Sequence, residues 1–296
     1  MDEQQRIKRR ADNNSIIDHA EEGKGKPMNR VNLALLQMKV ESDVEANLTK
    51  LAERLGQLPQ GTDLVVLPEM FVCPYETPNF PRYAQTRGEA VWQRLSDLAR
   101  QHGIWLCAGS VPELDGGKVY NTSYVFDRSG REVARHRKVH LFDVNVPGGI
   151  CFRESDTLTP GDEITVFDSE FGKIGLMICF DIRFPEQTRI MAERGARLVL
   201  VPAAFNLTTG PAHWDLSFRA RALDNQLFLA GCSPARDLTA SYHAYGHSLI
   251  TGPWGDIRAQ LDETEGMLSA AIDLDDCEAI RQGLPLLRSR RPELYR

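Results

Sequence analysis

Short apolar runs bounded by turn residues alternate along this chain with stretches whose apolar positions recur every three or four residues. Residues 31–38 (VNLALLQM) read as a buried strand. Ser42-Asp43-Val44-Glu45 then has capping-box spacing, and Val44, Leu48, Leu51 and Leu55 follow at helical intervals until Gly56 and Pro59. Residues 64–67 (LVVL), between Asp63 and Pro68, suit a strand buried on both faces. Val91, Leu95 and Leu98 mark a helix that stops near Gly103. Residues 104–111 and 119–126 predict two more strands, and Asp127-Arg128-Ser129-Gly130 supplies turn chemistry before a strand from Glu132.

The second half uses the same grammar. Residues 173–180 (KIGLMICF) predict a strand, and Pro185 is placed to open a helix that runs to Gly195. Residues 198–201 (LVLV) before Pro202 echo the earlier LVVLP, and a helix over about 212–225 leads into a strand over 226–232. Further strands are predicted around 247–251 and 267–272. The alternation predicts an α/β protein. The intervening strand–turn–strand units favour a mixed sheet, or two sheets with helices outside, over a pure doubly wound fold. No repeat or long linker divides residues 31–296, which are expected to form one domain. Residues 1–30 are polar and are expected to be a disordered leader, with Met28 an alternative start.

Composition narrows the function classes. With 42% hydrophobic residues the chain can build a sizeable core, and a net charge of −6 argues against a general nucleic-acid binder. No run approaches the roughly 18 apolar residues of a membrane span. Six cysteines lie far apart without a C-x-x-C pair, which predicts reduced thiols and a cytoplasmic protein.

Three reactive side chains sit where buried strands run out: Glu69 after LVVLP, Lys138 after the strand from Glu132, and Cys179 after GLMI. Strand ends are where ligand sites gather in α/β sheets. Singly, each has a bland reading, as a loop acid, a solvated lysine and a buried thiol. Their context is more specific. Leu67-Pro68-Glu69, the segment 137–143 (RKVHLFD) and the segment 175–186 (GLMICFDIRFPE) closely resemble the three signature segments of the nitrilase superfamily of carbon–nitrogen hydrolases.

That resemblance implies a four-layer α-β-β-α sandwich and a Glu69–Lys138–Cys179 catalytic triad. It implies no metal or other cofactor, a small-molecule amide substrate, and homo-oligomers that pack sandwich against sandwich. Glu154 matches a second family glutamate and is expected to orient Lys138 or the substrate. A class I glutaminase elbow does not fit the context of Cys179. His136 and His140 lie on a strand-like stretch where i and i+4 are far apart, so a metal site there is not expected.

The segments 204–214 (AFNLTTGPAHW), 219–222, 224–226 and 233–237 resemble the omega-amidase branch, whose substrates are short dicarboxylate monoamides such as 2-oxoglutaramate. The alternative is a deaminated glutathione amidase or another short-chain aliphatic amidase. Arg183 is a candidate for the substrate carboxylate, unless it pairs with Asp181 or Glu186. Thr208 and Thr209 are candidates for the far end of the substrate, and Tyr75 and Phe205 for its walls. Trp214 and Arg221 are expected to serve helix packing or subunit contacts.

Overall fold

The computed structural model describes residues 29–295. The leader expected over residues 1–30, and Met28, lie almost wholly outside it. A seven-stranded sheet contains β1 (Arg30–Gln37), β2 (Leu64–Val66), β3 (Trp105–Cys107), β4 (Val111–Asp115), β5 (Lys118–Phe126) and β6 (Glu132–Arg137), completed by β15 (Gly266–Asp273). Its order is β15-β1-β2-β3-β5-β4, with β6 added to β5. Strands β7 (Asp143–Asn145) and β8 (Cys151–Arg153) form a separate hairpin. The second sheet holds β9 (Thr165–Ser169), β10 (Gly172–Leu176), β11 (Leu198–Pro202), β12 (Phe228–Cys232), β13 (Leu249–Thr251) and β14 (Ile257–Gln260), in the order β14-β13-β12-β11-β10-β9. Each sheet has three parallel strands at its centre and antiparallel neighbours outside them.

The strands' period of two explains the layers. Val31, Leu33 and Leu35 of β1 pack in one core with Leu198 and Leu200 of β11 and Phe228 of β12, so the two sheets lie face to face. Ala34 and Leu36 point the other way, into a second core with Leu48, Leu51 and Leu55 of α1 (Val44–Leu55) and Leu95 and Leu98 of a helix over Ala90–His102. Beyond the second sheet, Met191 of the helix Pro185–Glu193 packs on Gly175 of β10, and Phe218 of the helix Gly210–Asn225 packs on Gly231 of β12 with Trp214 beside it. The result is the expected α-β-β-α sandwich.

Three local differences from the sequence reading bear on the site. Helix α1 is capped by Asp43, which accepts the Glu45 and Ala46 N–H groups, not by Ser42. The single strand expected over 104–111 is two, β3 and β4, broken at Gly109, whose φ of 57° is left-handed. A Cβ there would stand 2.1 Å from the Pro68 carbonyl oxygen, so only glycine lets the β3–β4 bend press against the turn that carries Glu69. The strand expected over 173–180 ends at Leu176, and the chain enters a 3₁₀ turn, Cys179–Arg183, with Cys179 itself at φ 48°. The hairpin β7–β8, strands β9 and β14 and the helix Asp275–Gly283 were not expected.

Candidate active site

Glu69, Lys138 and Cys179 leave three different strand ends and meet between the sheets. Glu69 follows β2, Lys138 directly follows β6, and Cys179 follows β10 by way of Met177 and Ile178. All three are buried. The Lys138 ammonium lies 2.8 Å from Glu69 Oε1 and 3.0 Å from both oxygens of Glu154. Glu154 stands just beyond β8, so the separate hairpin supplies one wall of the site.

Tyr75 completes the cluster. Its single proton goes to Glu154 Oε1 at 2.6 Å, while Glu69 Oε1 is 3.1 Å away and Lys138 Nζ donates to the phenol oxygen at 3.3 Å. Asn121 Nδ2 donates to Glu69 Oε1 at 2.8 Å, and the Phe142 N–H donates to Glu154 Oε2 at 2.6 Å. Glu69 Oε2 is left without a donor. It is therefore the free oxygen to which a proton can be passed.

Electrostatics sort the protons. Burial raises the Glu69 pKa; Lys138 opposes this and Glu154 adds to it. Burial works against the Lys138 ammonium, but Glu154 and then Glu69 outweigh it and hold its pKa well above the usual lysine range. Burial also raises the Cys179 thiol pKa, helped by the Glu69 carboxylate and opposed by Lys138. These shifts favour the protonated thiol of Cys179 and the charged ammonium of Lys138, while burial makes Glu69 a stronger base than an ordinary carboxylate.

Two backbone features aim the sulfur. Cys179 and Met70, next to Glu69, are both non-glycine residues with positive φ, a strain that the surrounding packing must hold. Asp181 does part of this holding. Its Oδ2 accepts the Ile178 N–H and lies 3.1 Å from His136 Nε2; its Oδ1 accepts the His140 N–H and lies 2.9 Å from His140 Nδ1. This ties the Cys179 turn to the Lys138 segment. The Ala204 N–H donates to Cys179 Sγ at 3.5 Å.

A narrow pocket of about 10 Å³ opens at the sulfur, lined in part by Phe142, Arg183, Phe205, Thr209 and Tyr242. Arg183 stacks 4.5 Å from the Phe205 ring centre and lies 2.9 Å from His213 Nδ1, and its Nε has no acceptor. Neither Asp181 nor Glu186 pairs with it, and it forms no ion pair with any acid among the described residues. Tyr75 stands at the carboxylates. Thr208 is exposed, and its methyl group packs close to Gly149 at the hairpin tip, so Thr208 does not join Thr209 at the pocket. Trp214 is core, as expected, while Arg221 donates to the Ile182 and Arg183 carbonyls and so braces the turn after Cys179.

Sequence reasoning missed Asn121, Phe142, Ala204 and Tyr242. Phe142 and Ala204 lie inside the motif segments 137–143 and 204–214, whereas Asn121 and Tyr242 lie outside all of them. Nothing local marks either as a pocket residue.

The Carbon-nitrogen hydrolase family profile matches residues 32–282. The chain is 47% identical over 269 residues to the omega-amidase NIT2 of Mus musculus, covering 90% of this chain and 98% of the mouse protein. The crystal structure of Saccharomyces cerevisiae Nit3, a member of branch 10 of the nitrilase superfamily, superimposes with a TM-score of 0.82 at 41% identity, over 90% of this chain and all of that one. A variant amidase from Nesterenkonia sp. AN1, with the acetamide moiety of fluoroacetamide added covalently at its active-site cysteine, gives a TM-score of 0.75 at 27% identity. That match covers 92% of this chain and 98% of the amidase.

Proposed function

Because the chain belongs to the carbon-nitrogen hydrolase family, and is a hydrolase of non-peptide carbon–nitrogen bonds, we propose that it is an omega-amidase. It converts a short dicarboxylate monoamide such as 2-oxoglutaramate to the dicarboxylate and ammonia, with residues 31–296 as its catalytic domain. The observation that carries the reading is Arg183: a half-buried guanidinium beside the sulfur, with no acid neutralising it among the described residues. A cation so placed suits the free carboxylate of the substrate, which it can grip bidentately. Phe205 and Thr209 complete that end. The pocket as it stands holds about one water, so an acyl chain enters by displacing its lining side chains.

The reaction runs through a thioester. Cys179 Sγ attacks the amide carbon as its proton passes to Glu69, which serves as general base. Lys138, fixed by Glu154 and Tyr75, donates to the oxyanion of the tetrahedral intermediate; removing one such donor typically costs about 10²–10³ in rate. The C–N bond breaks as Glu69 returns the proton to nitrogen, and ammonia leaves. Water then attacks the thioester, giving a proton to Glu69, and the proton ends on the released thiol. Because the thiol pKa is raised, the proton moves during attack and no thiolate is stored beforehand.

The enzyme works as a homo-oligomer in the cytoplasm. Supporting assembly, Leu216 is 66% exposed and Trp254 58%, and Leu223, on the same helix as Leu216, lies beside the Trp254 turn. Six free cysteines suit a reducing compartment. The test is ammonia release from 2-oxoglutaramate by the wild type and by Cys179→Ala. Activity confined to the wild type is expected, and equal silence from both on every amide tried would overturn the enzyme reading.

A further inference from the structure

A second and far larger cavity, of about 340 Å³, adjoins the Cys179 pocket. Tyr242 and Ala204 line both spaces, and Glu69 is part of the wall of the larger one. Since the Ala204 N–H touches the sulfur, the cavity begins one residue away from the reacting atom. One water needs about 10–15 Å³ of such space. Departing ammonia therefore has no use for this volume, and hydrolytic water has little.

The chemistry of the two spaces differs. The small pocket holds Arg183. The large cavity is lined by Glu69, Glu76 and Asp237 and by no lysine or arginine; Lys138 pairs with Glu69 and Lys39 stands 4.0 Å from Asp237, so Glu76 is the acid there with no ion-pair partner among the described residues. Glu69 is also fully buried with Oε2 unpartnered. In the mechanism above, the departing nitrogen receives its proton from Glu69, so it must face that side of the tetrahedral carbon. Any substituent on that nitrogen continues into the space that Glu69 borders.

We propose that this cavity is an amine subsite, and that the enzyme cleaves N-substituted amides whose departing amine is neutral or cationic. The inference rests on the amidase reading of Cys179 and Glu69 and extends its substrate class. The balance is that of the primary amide: Sγ–C forms, C–N breaks, and the amine leaves with the proton from Glu69. Water then cleaves the thioester. Charge sorts the two ends of the substrate, the acyl carboxylate to Arg183 and the amine to the acidic cavity. An amine that itself bears a carboxylate, as the one released from deaminated glutathione does, meets repulsion there.

The experiment compares kcat/KM for the primary amide of 2-oxoglutarate with its N-(2-aminoethyl) and N-carboxymethyl amides, in the wild type and in Glu76→Lys. In the wild type the aminoethyl amide is expected within about tenfold of the primary amide, and the carboxymethyl amide at least 100-fold below it. Glu76→Lys is expected to shift the aminoethyl-to-carboxymethyl ratio by tenfold or more toward the carboxymethyl amide. Cleavage of the primary amide alone, or a ratio that Glu76→Lys does not move, overturns the subsite. If the primary amide is not cleaved, the omega-amidase reading fails instead, and the same substituents on propionamide still decide the subsite.

Discussion

The phenol of Tyr75 donates to Glu154 at 2.6 Å, joining the loop after β2 to the base of the β7–β8 hairpin across 79 residues of sequence. Through this bond, two walls of the site that belong to different elements are held at one distance. Both contact Lys138.

Tyr75→Phe removes that bond and leaves the ring in place against Phe80 and Phe152. A hydrogen bond to a charged group is worth about 1.5–3 kcal/mol. We expect kcat to fall about 10- to 100-fold with little change in KM and an unchanged circular-dichroism spectrum. A loss confined to KM would show that Tyr75 only walls the substrate.

The acid limb of the kcat/KM profile is set by Glu69. Its pKa is raised above 4.5 by burial, and the base must be ionised to take the thiol proton. Activity therefore falls as pH drops through a value above 4.5, not at the ordinary carboxylate pKa. Cys179, raised above 9.0, gives no thiolate plateau in the acid range, and its alkylation by iodoacetamide climbs with pH past 9. An alkylation rate already flat at pH 6 would contradict the protonated thiol.

Arg183→Lys keeps the charge and removes the planar fork. For 2-oxoglutaramate we expect KM to rise about 10-fold or more, while a neutral amide such as propionamide changes less than about threefold. Equal losses on both substrates would mean that Arg183 only braces Phe205.

Leu216→Arg places a charge on the exposed side of the helix Gly210–Asn225. If copies of the chain meet there, size-exclusion chromatography or light scattering will show a smaller species than the wild type. An unchanged mass would move the interface elsewhere.

The alternation of strands and helices was legible in the order of apolar positions, because the central strands are apolar on both faces. The four-layer sandwich itself came from the resemblance carried by the three motif segments, since periodicity left one mixed sheet or two equally open. Lys138 and Cys179 were legible through their place at strand ends and the motifs around them. The hairpin β7–β8 was not, since its short, half-exposed strands carry no hydrophobic alternation. Tyr242 and Asn121 reach the site only by tertiary folding, one from a late loop and one from within β5, with no nearby residue announcing either. The premature end of β10 escaped notice because Met177 and Ile178 are as buried as the strand before them, and burial alone does not distinguish a strand from the turn that follows it.

Gly109 touches none of the three reactive side chains, yet it decides where one of them can stand. Its missing side chain is the space into which the Pro68 carbonyl fits. In a saturation scan scored by turnover, position 109 will therefore look like a chemical residue, intolerant even of alanine. Scored by abundance it will look like an ordinary core position, and only the two screens together reveal that what is selected there is an absence.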